Sequence, residues 1–490
     1  MNRVSRRRFL KRGVAATAGS YLALSSYSDI LAGARGANDE VRVAVAGIRG
    51  RGGGHIKHFQ SLRNVKVAAV CDPDSKVLGD WVNQCKDKYG TTVAGYADVR
   101  ELLDRKDIDA LIIATPNHWH SLMTVYACQA GKHVYVEKPV SHSIWEGRKM
   151  VEAARKYNRI VAAGTQHRSC PAVQEAARDI QSGRWGKVLW VHCSRLGPRE
   201  SIGKVISPQP VPEHIDYNLW AGPAPMTPVM RKQFHYDWHW QWNWGDGEMA
   251  NWGVHYLDDL RHLMGWNDVP TKIIAAGNRF VWDDNGETPN MHFALCDYDG
   301  IPFVIDVRNL VDPWRRPGGG GARYLNWGGG NCIQCEDAMI RLSRGGGGAY
   351  DKRDKRIHQY KGDGGSAHAQ NFIDCLRSGR REDLAAEIEV GHLSTVVCHQ
   401  ANIAWRAGAE ATVDEVHHSM QSHQDALYTL TDMLQQLAGN NVDLTKKPFI
   451  LGPQLTYDRK QERFVGPSSE RANKYIKCSY RKPFVMPENV

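Results

Sequence analysis

The sequence predicts an α/β fold in two halves, a nucleotide-binding half on a parallel sheet followed by an α+β half on an antiparallel one. Three observations predict it. An apolar strand near residue 41 runs into a glycine turn and then a helix; strand and helix patterns alternate from there to about residue 165; beyond that point hairpin signals replace the alternation.

Residues 1–34 stand apart from both halves. The chain of 490 residues carries a net charge of +10, but half of it lies here, where Arg3, Arg6, Arg7, Arg8, Lys11 and Arg12 face one acid, Asp29. The small remainder is spread as a solvated surface, which argues against nucleic acid as a partner. Ser5-Arg6-Arg7-Arg8-Phe9-Leu10-Lys11, a weakly apolar stretch from Gly13 to Leu31, and the small-residue exit Ala32-Gly33-Ala34 follow in the order of a cleavable leader. The arrangement resembles a twin-arginine export signal. That implies delivery by the twin-arginine machinery to the periplasm, folded and often around a cofactor, with cleavage near Ala34 and no stable membrane span afterwards. No run of about 18 apolar residues suggests a spanning helix elsewhere. With 42% hydrophobic residues and 16 Trp, disorder of the whole chain is excluded.

The nucleotide-binding half is expected over 35–165. Val41 to Ala46 reads as a strand buried on both faces, running straight into Gly47-Ile-Arg-Gly-Arg-Gly-Gly-Gly54. Glycine lets a backbone turn sharply and approach a pyrophosphate, and a helix N-terminus offers it unpaired N–H groups. Counted from Gly47, the G-x-G-x-x-G spacing places Arg49 second and Gly52 third, with an extra Gly50 between them. A second buried strand, Val65 to Cys71, ends at Asp72. A carboxylate there accepts both ribose hydroxyls of NAD and repels the extra phosphate of NADP, so NAD is the expected cofactor. Asp98-Val-Arg-Glu101 has the form of a capping box. The next strand, Asp109 to Ala114, ends in Thr115-Pro-Asn-His-Trp-His120; a helix is expected over 121–130 and a strand from His133 to Val136, followed by Glu137-Lys138-Pro139. Polar clusters at the carboxyl ends of parallel strands are where ligands bind. Thr115, Pro116, Asn117, His120, Glu137 and Lys138 therefore join the cofactor set, with Lys138 placed to face nicotinamide.

The hexapeptide at 115–120, Glu137-Lys138-Pro139, and Asn251-Trp-Gly-Val-His255 with Asp258 together resemble the Gfo/Idh/MocA oxidoreductase family over roughly residues 41–410. The resemblance implies a Rossmann domain, then a domain with a mostly antiparallel open sheet, and catalysis between them on a sugar or polyol. Dimers or tetramers through the open sheet face are a further implication, by analogy. It also implies catalytic roles for Lys138, His255 and the residue at 251. That last residue is commonly Asp in the family. Asn251 can orient an imidazole but cannot stabilise its charged form, which makes Lys138 the main acid/base candidate and leaves His255 to bind or deprotonate the reacting hydroxyl.

The substrate half is expected over 166–410. Helical periodicity covers Ala172 to Ser182, and Asn290–Asp297 and Ile301–Leu310 flank a Tyr298-Asp-Gly300 turn. The tract from Phe234 to Trp244 is dense in aromatics, whose faces stack on sugar C–H surfaces. Trp238 and Trp242 are thus substrate candidates, with His118 and Asp258; the alternative for any one Trp is core packing or an oligomer interface. The glycine-rich stretch 317–348 reads as a loop over or beside the sheet. Helices are expected at His368–Ser378 and Glu389–Ala407 as packing elements. An extension over 411–490 contains one more helix near 418–438. The odd, scattered Cys set forms no disulfide framework, Cys332-Ile-Gln-Cys335 lacks the second pair of a zinc site, and no metal is expected.

The leading expectation is an exported NAD-dependent oxidoreductase acting on a hydroxyl of a sugar, polyol or related compound. Because free NAD is scarce outside the cytoplasm, its cofactor should be tightly held and recycled. One alternative is a glycoside-cleaving enzyme that oxidises a hydroxyl transiently, eliminates the leaving group and reduces the product again. Another is a non-catalytic sugar or nucleotide binder.

Overall fold

β1 (Val41–Ala46), β2 (Val65–Cys71), β3 (Ala94–Tyr96), β4 (Ala110–Ile113), β5 (His133–Val136) and β6 (Val161–Ala163) form one sheet in the order 3-2-1-4-5-6, every pairing parallel. The computed structural model describes residues 40–314 and 321–490. The leader over 1–34 lies outside the described residues, as do residues 315–320. No helix of the described residues is long and apolar enough to cross a membrane.

Alternate residues of each strand point to opposite faces, and both faces are covered. Ala44 and Ala46 face a core shared with Leu102, Leu122 and Met150, while Val43 and Val45 face one shared with Ile56, Phe59 and Trp81. The helix His368–Ser378, distant in sequence, contributes Phe372 and Ile373 to this second core. Helix starts follow local chemistry. Asp74 accepts from the N–H groups of Lys76 and Val77 at 3.0 Å to open Ser75–Tyr89. Asp98 caps Val99–Leu103 through the Arg100 N–H and holds the Arg100 guanidinium, so it works as a single cap paired with Arg100 and not through Glu101. The helix expected over 121–130 begins earlier, spanning Asn117–Gln129, and takes the polar hexapeptide into its first turns.

The second sheet contains β7 (Val188–Leu196), β8 (Lys272–Asn278), β9 (Met291–Tyr298), β10 (Ile301–Arg308), β11 (Gly330–Cys335), β12 (Met339–Ser343), β13 (Gly346–Tyr350), β14 (Arg356–Lys361), β15 (Ala409–Ala411), β16 (Phe449–Leu451), β17 (Leu455–Asp458) and β18 (Arg463–Val465). Its order is 14-13-12-11-7-10-9-8-16-15, with β17 pairing β8 and β18. Only the β7–β10 pair is parallel among these described strands. The β9–β10 hairpin turns at Asp299 and Gly300, with φ of 52° and 90°.

Two expectations change here. Much of the glycine-rich stretch is sheet and not loop: β11 and β12 lie within it, and a Cβ on Gly347 would overlap the Arg341 carbonyl of the neighbouring strand, so glycine serves close strand approach. The extension beyond residue 410 also differs, since it brings two helices onto the sheet. One face packs on helices Pro171–Gln181, Val254–Met264 and Ile388–Arg406. The other receives Val413–Met420 and Gln424–Gly439, two helices where one was expected near 418–438. The first of them opens on a capping box, Thr412 with Glu415. The chain end returns to the nucleotide half, where Phe484 and Met486 enter the core beside Trp119.

Charge as well as apolar area fixes Gln424–Gly439 to the sheet. Arg308, 1% exposed, pairs with Asp306 at 2.8 Å on its own strand and with Asp432 at 2.7 Å on the helix. His192 contacts Asp425 at 3.1 Å, and Tyr324, stacked on its ring, donates to the same carboxylate. Removing one partner of a buried pair strands the other charge. Arg308→Met is therefore expected to destabilise the sheet domain by about 3–5 kcal/mol, seen as a lowered urea midpoint for the transition of that domain.

Candidate functional site

A cavity of about 340 Å³ opens at the carboxyl ends of β1 and β4, where the strand order reverses. At its floor Gly47 has φ of 76°, and a Cβ there would lie 2.6 Å from the Thr115 nitrogen and 2.7 Å from the Ala114 carbonyl. A Cβ on Gly52 would overlap the Gly47 oxygen, so the helix Arg51–Gln60 packs against the turn only with glycine there. Gly50 precedes that helix with no side chain to cap it and nothing within 4 Å of its missing Cβ. The first N–H groups are thereby left for an anion, with Arg49 and Arg51 beside them on the cavity wall. Asp72, 6% exposed, is held by the N–H groups of Ile48 and Asp74, both at 3.0 Å, and burial pushes its carboxyl up to about 6. The Thr115 hydroxyl is buried without a partner among the described residues. Glycine clearance, an anion-accepting helix start and a backbone-anchored carboxylate for ribose all fit NAD.

The same cavity runs past Asn117 and His120 to Glu137, Lys138 and Asn251. His120 has Pro139 oxygen at 2.6 Å from Nδ1 and Thr115 oxygen at 2.8 Å from Nε2, so it braces the two loops against each other. Glu137 is buried. Although burial opposes it, Arg51 at 2.7 Å and His55 at 2.8 Å hold its carboxyl well below the usual range. Lys138 Nζ donates to the backbone oxygen of Asn251 at 2.8 Å and lies 3.4 Å from its side-chain oxygen. Burial lowers the affinity of this amine for protons, opposed by Glu137 and Glu248. Asn251 sits in a π turn, Met249–Gly253, and its side-chain amide donates to Glu248 at 3.2 Å. It thus serves Lys138 and Glu248, whereas the sequence had paired it with His255.

His255 is buried, its ring 5.7 Å from that of Trp252 and 6.5 Å from that of His167. Burial, with the fields of Lys138 and Arg344, keeps it neutral by pushing its pKa well below the usual value. His167 Nδ1 lies 2.8 Å from Asp259, and its Nε2 is buried without a partner among the described residues. Asp258 is elsewhere occupied: fully buried, it takes Arg168 at 2.9 Å and the Ser394 hydroxyl at 2.6 Å. It is a packing residue away from the cavity.

The aromatic tract divides. Trp238 lines the cavity with His239 stacked on it at 3.7 Å, and Leu219, Trp220, His235 and Tyr236 complete a roof. Trp242 instead faces Arg406 and Trp405 in a separate pocket. His118 is wedged between Trp220 and Trp244, and burial depresses its pKa to about 3. Its site is an interdomain core. Asn117 reaches Asp246 at 3.0 Å across the same boundary. The roof is pinned over the ribose end, where Asp74 receives both His214 and His235 at 2.9 Å.

Two family profiles match this chain. Residues 41–165 match the oxidoreductase family, NAD-binding Rossmann fold, and residues 198–309 match the oxidoreductase family, C-terminal alpha/beta domain. Both matched segments are those of the Gfo/Idh/MocA family. The nucleotide half is accordingly an NAD-binding Rossmann domain. Among curated relatives, a glycosyl hydrolase family 109 protein of Shewanella baltica is 34% identical over 174 residues, 32% of this chain and 38% of that protein. Its counterpart in Shewanella pealeana is 36% identical over 122 residues, 24% of this chain and 27% of that one. The match thus spans well under half of these relatives. Among solved structures, the WlbA dehydrogenase of Bordetella pertussis, in complex with NADH and UDP-GlcNAcA, has a TM-score of 0.53 at 20% identity, covering 73% of this chain and 95% of that one. Levoglucosan dehydrogenase with NADH gives 0.55 at 15% identity, covering 74% and 96%. At these identities the likeness is one of fold.

Sequence reasoning missed His167, Asp259 and Glu248. The first had a signal: it follows the carboxyl end of β6, the position that drew attention to residues 115–120 and 137–139. The Asp72 carboxyl yields a pH prediction. Ribose hydroxyls need its ionised form as acceptor, so NAD affinity should fall as pH drops through about 6. In Asp72→Asn the affinity should be lower by about tenfold and flat across that range, as read by fluorescence titration of the nucleotide-free protein.

Proposed function

We propose that this chain is an NAD-dependent oxidoreductase acting on the CH–OH group of a sugar, polyol or related compound, with a tightly held cofactor. One observation carries the reading: a single cavity joins the ribose carboxylate Asp72 to Lys138, under a roof pinned at Asp74. When bound, NAD supplies the hydride acceptor. Lys138, its amine made less basic by burial, takes the hydroxyl proton at Nζ. His255, held neutral, orients that hydroxyl through a ring lone pair. His167, fixed by Asp259 at Nδ1, presents Nε2 as a second acceptor beside it.

A second reading is favoured by the family 109 relatives: glycoside cleavage in which a ring hydroxyl is oxidised, the leaving group eliminated and the product reduced, with no net redox change. The roof supports it as much as the first, since a cofactor that never leaves suits internal recycling.

Heat denaturation of the purified protein should release close to one NAD or NADH per chain, identified by mass and absorbance; a protein without nucleotide and unable to bind it would sink both readings. Incubated with glycosides and no added nucleotide, an enzyme of the second kind liberates sugar over many turnovers, whereas the first accumulates NADH and stops. Lys138→Ala should lose about a hundredfold or more of either activity, while keeping the nucleotide.

We further infer export by the twin-arginine route, on the strength of Arg6-Arg7 and the apolar stretch behind them. Changing both arginines to Lys should leave the full-length precursor in the cytoplasm on cell fractionation, and unaltered export would refute the assignment.

A further inference from the structure

Close to Lys138, around Trp252 and His255, positive charge exceeds the carboxylates that balance it. Arg195 and Arg344 both stack on the Trp252 indole, their guanidinium carbons 5.1 Å and 5.3 Å from its centre, and that ring lies against His255. Arg199 donates at 3.2 Å to the hydroxyl of Tyr236, a residue of the cavity wall. Arg195 and Arg199 share one oxygen of Glu248, at 3.2 Å and 3.0 Å, and the other oxygen is taken by Asn251. Arg344, at the tip of the β12–β13 hairpin, has no ion pair or hydrogen bond among the described residues. Four cations, Lys138 included, thus stand against two carboxylates, Glu248 and Asp259, and Asp259 is engaged by His167. Glu137 is matched by Arg51 and His55.

The chain makes room for this excess. A Cβ on Gly197 would overlap the Arg195 guanidinium, so that glycine is what lets the side chain fold back to Trp252. Arg195 Nε is turned to Glu248 at 3.2 Å, so the guanidinium left without an anion among the described residues is that of Arg344, held on the Trp252 ring. A neutral sugar would leave such donors unpaired, whereas an anionic oxygen answers them.

We propose that the substrate is an anionic sugar, a hydroxyl-bearing ring with a carboxylate or sulfate group whose charge is received by Arg344 and Arg195 beside Trp252. This deepens the oxidoreductase reading and rests on it. The test uses the nucleotide-loaded protein and three probes, methyl β-D-glucuronide, methyl β-D-glucoside 6-sulfate and methyl β-D-glucoside, titrated calorimetrically at low and high salt. At least one anionic probe should bind about tenfold tighter than the neutral one, with the advantage reduced by salt. Which anion prevails tells carboxylate from sulfate. Arg344→Gln should erase the preference while keeping the melting temperature and nucleotide content, and Arg344→Lys should restore part of it. Equal or tighter binding of the neutral probe overturns the proposal, as does a preference untouched by Arg344→Gln or binding of none of the three by protein that carries NAD. Protein that cannot hold NAD overturns the oxidoreductase reading instead, and the same titrations then judge the anion preference by itself.

Discussion

The hydrogen bond from Lys138 Nζ to the Asn251 carbonyl is the contact on which the site depends, because it joins the end of the first sheet to the helix that crosses the second. In a regular α-helix that carbonyl would be spent on the N–H four residues ahead, which belongs to His255. The π turn Met249–Gly253 displaces this bond and presents the oxygen sideways. One local irregularity therefore sets the height of Lys138, and by the same distortion the direction of His255. Neither residue could be placed independently of the other.

Electrostatics then explain why asparagine suits position 251. Its amide nitrogen lies 3.2 Å from Glu248, and a carboxylate in its place would confront another carboxylate at that separation. The negative charge that would otherwise neighbour Lys138 resides one turn earlier, on Glu248, where it also gathers Arg195 and Arg199. Lys138 feels that charge at greater range and keeps a lowered proton affinity. The exchange of Asp for Asn is therefore a relocation of charge and leaves the lysine as the group able to titrate.

The nucleotide half was legible in the sequence because its logic is local: a buried strand, a turn that only glycine can make, and an acid at the next strand end are neighbours along the chain. Lys138 and Asn251 were legible through motif, yet their mutual contact was not, being separated by more than a hundred residues. Aromatic density could not separate Trp238, on the cavity wall, from Trp242, packed on Arg406 and Trp405, since an indole that stacks on sugar and one that packs in a core have the same composition. The glycine-rich stretch misled in the opposite sense. Glycine marks backbone freedom, and here that freedom is used to bring strands into close register, with Arg344 carried on the hairpin they form.

What ties these parts together is the placement of late sequence on early structure. Helix His368–Ser378 completes a face of the first sheet, Gln424–Gly439 closes a face of the second, and the final residues return to the first core. A two-domain cleft held only by short linkers would open and close freely. Here Asn117–Asp246, the seated His118 and the Asp74 pair with His214 and His235 cross the boundary on the cavity's own rim. Opening far enough to release a dinucleotide must break several buried polar contacts at once. A nucleotide proposed to be recycled in place would thus lie behind a pinned roof.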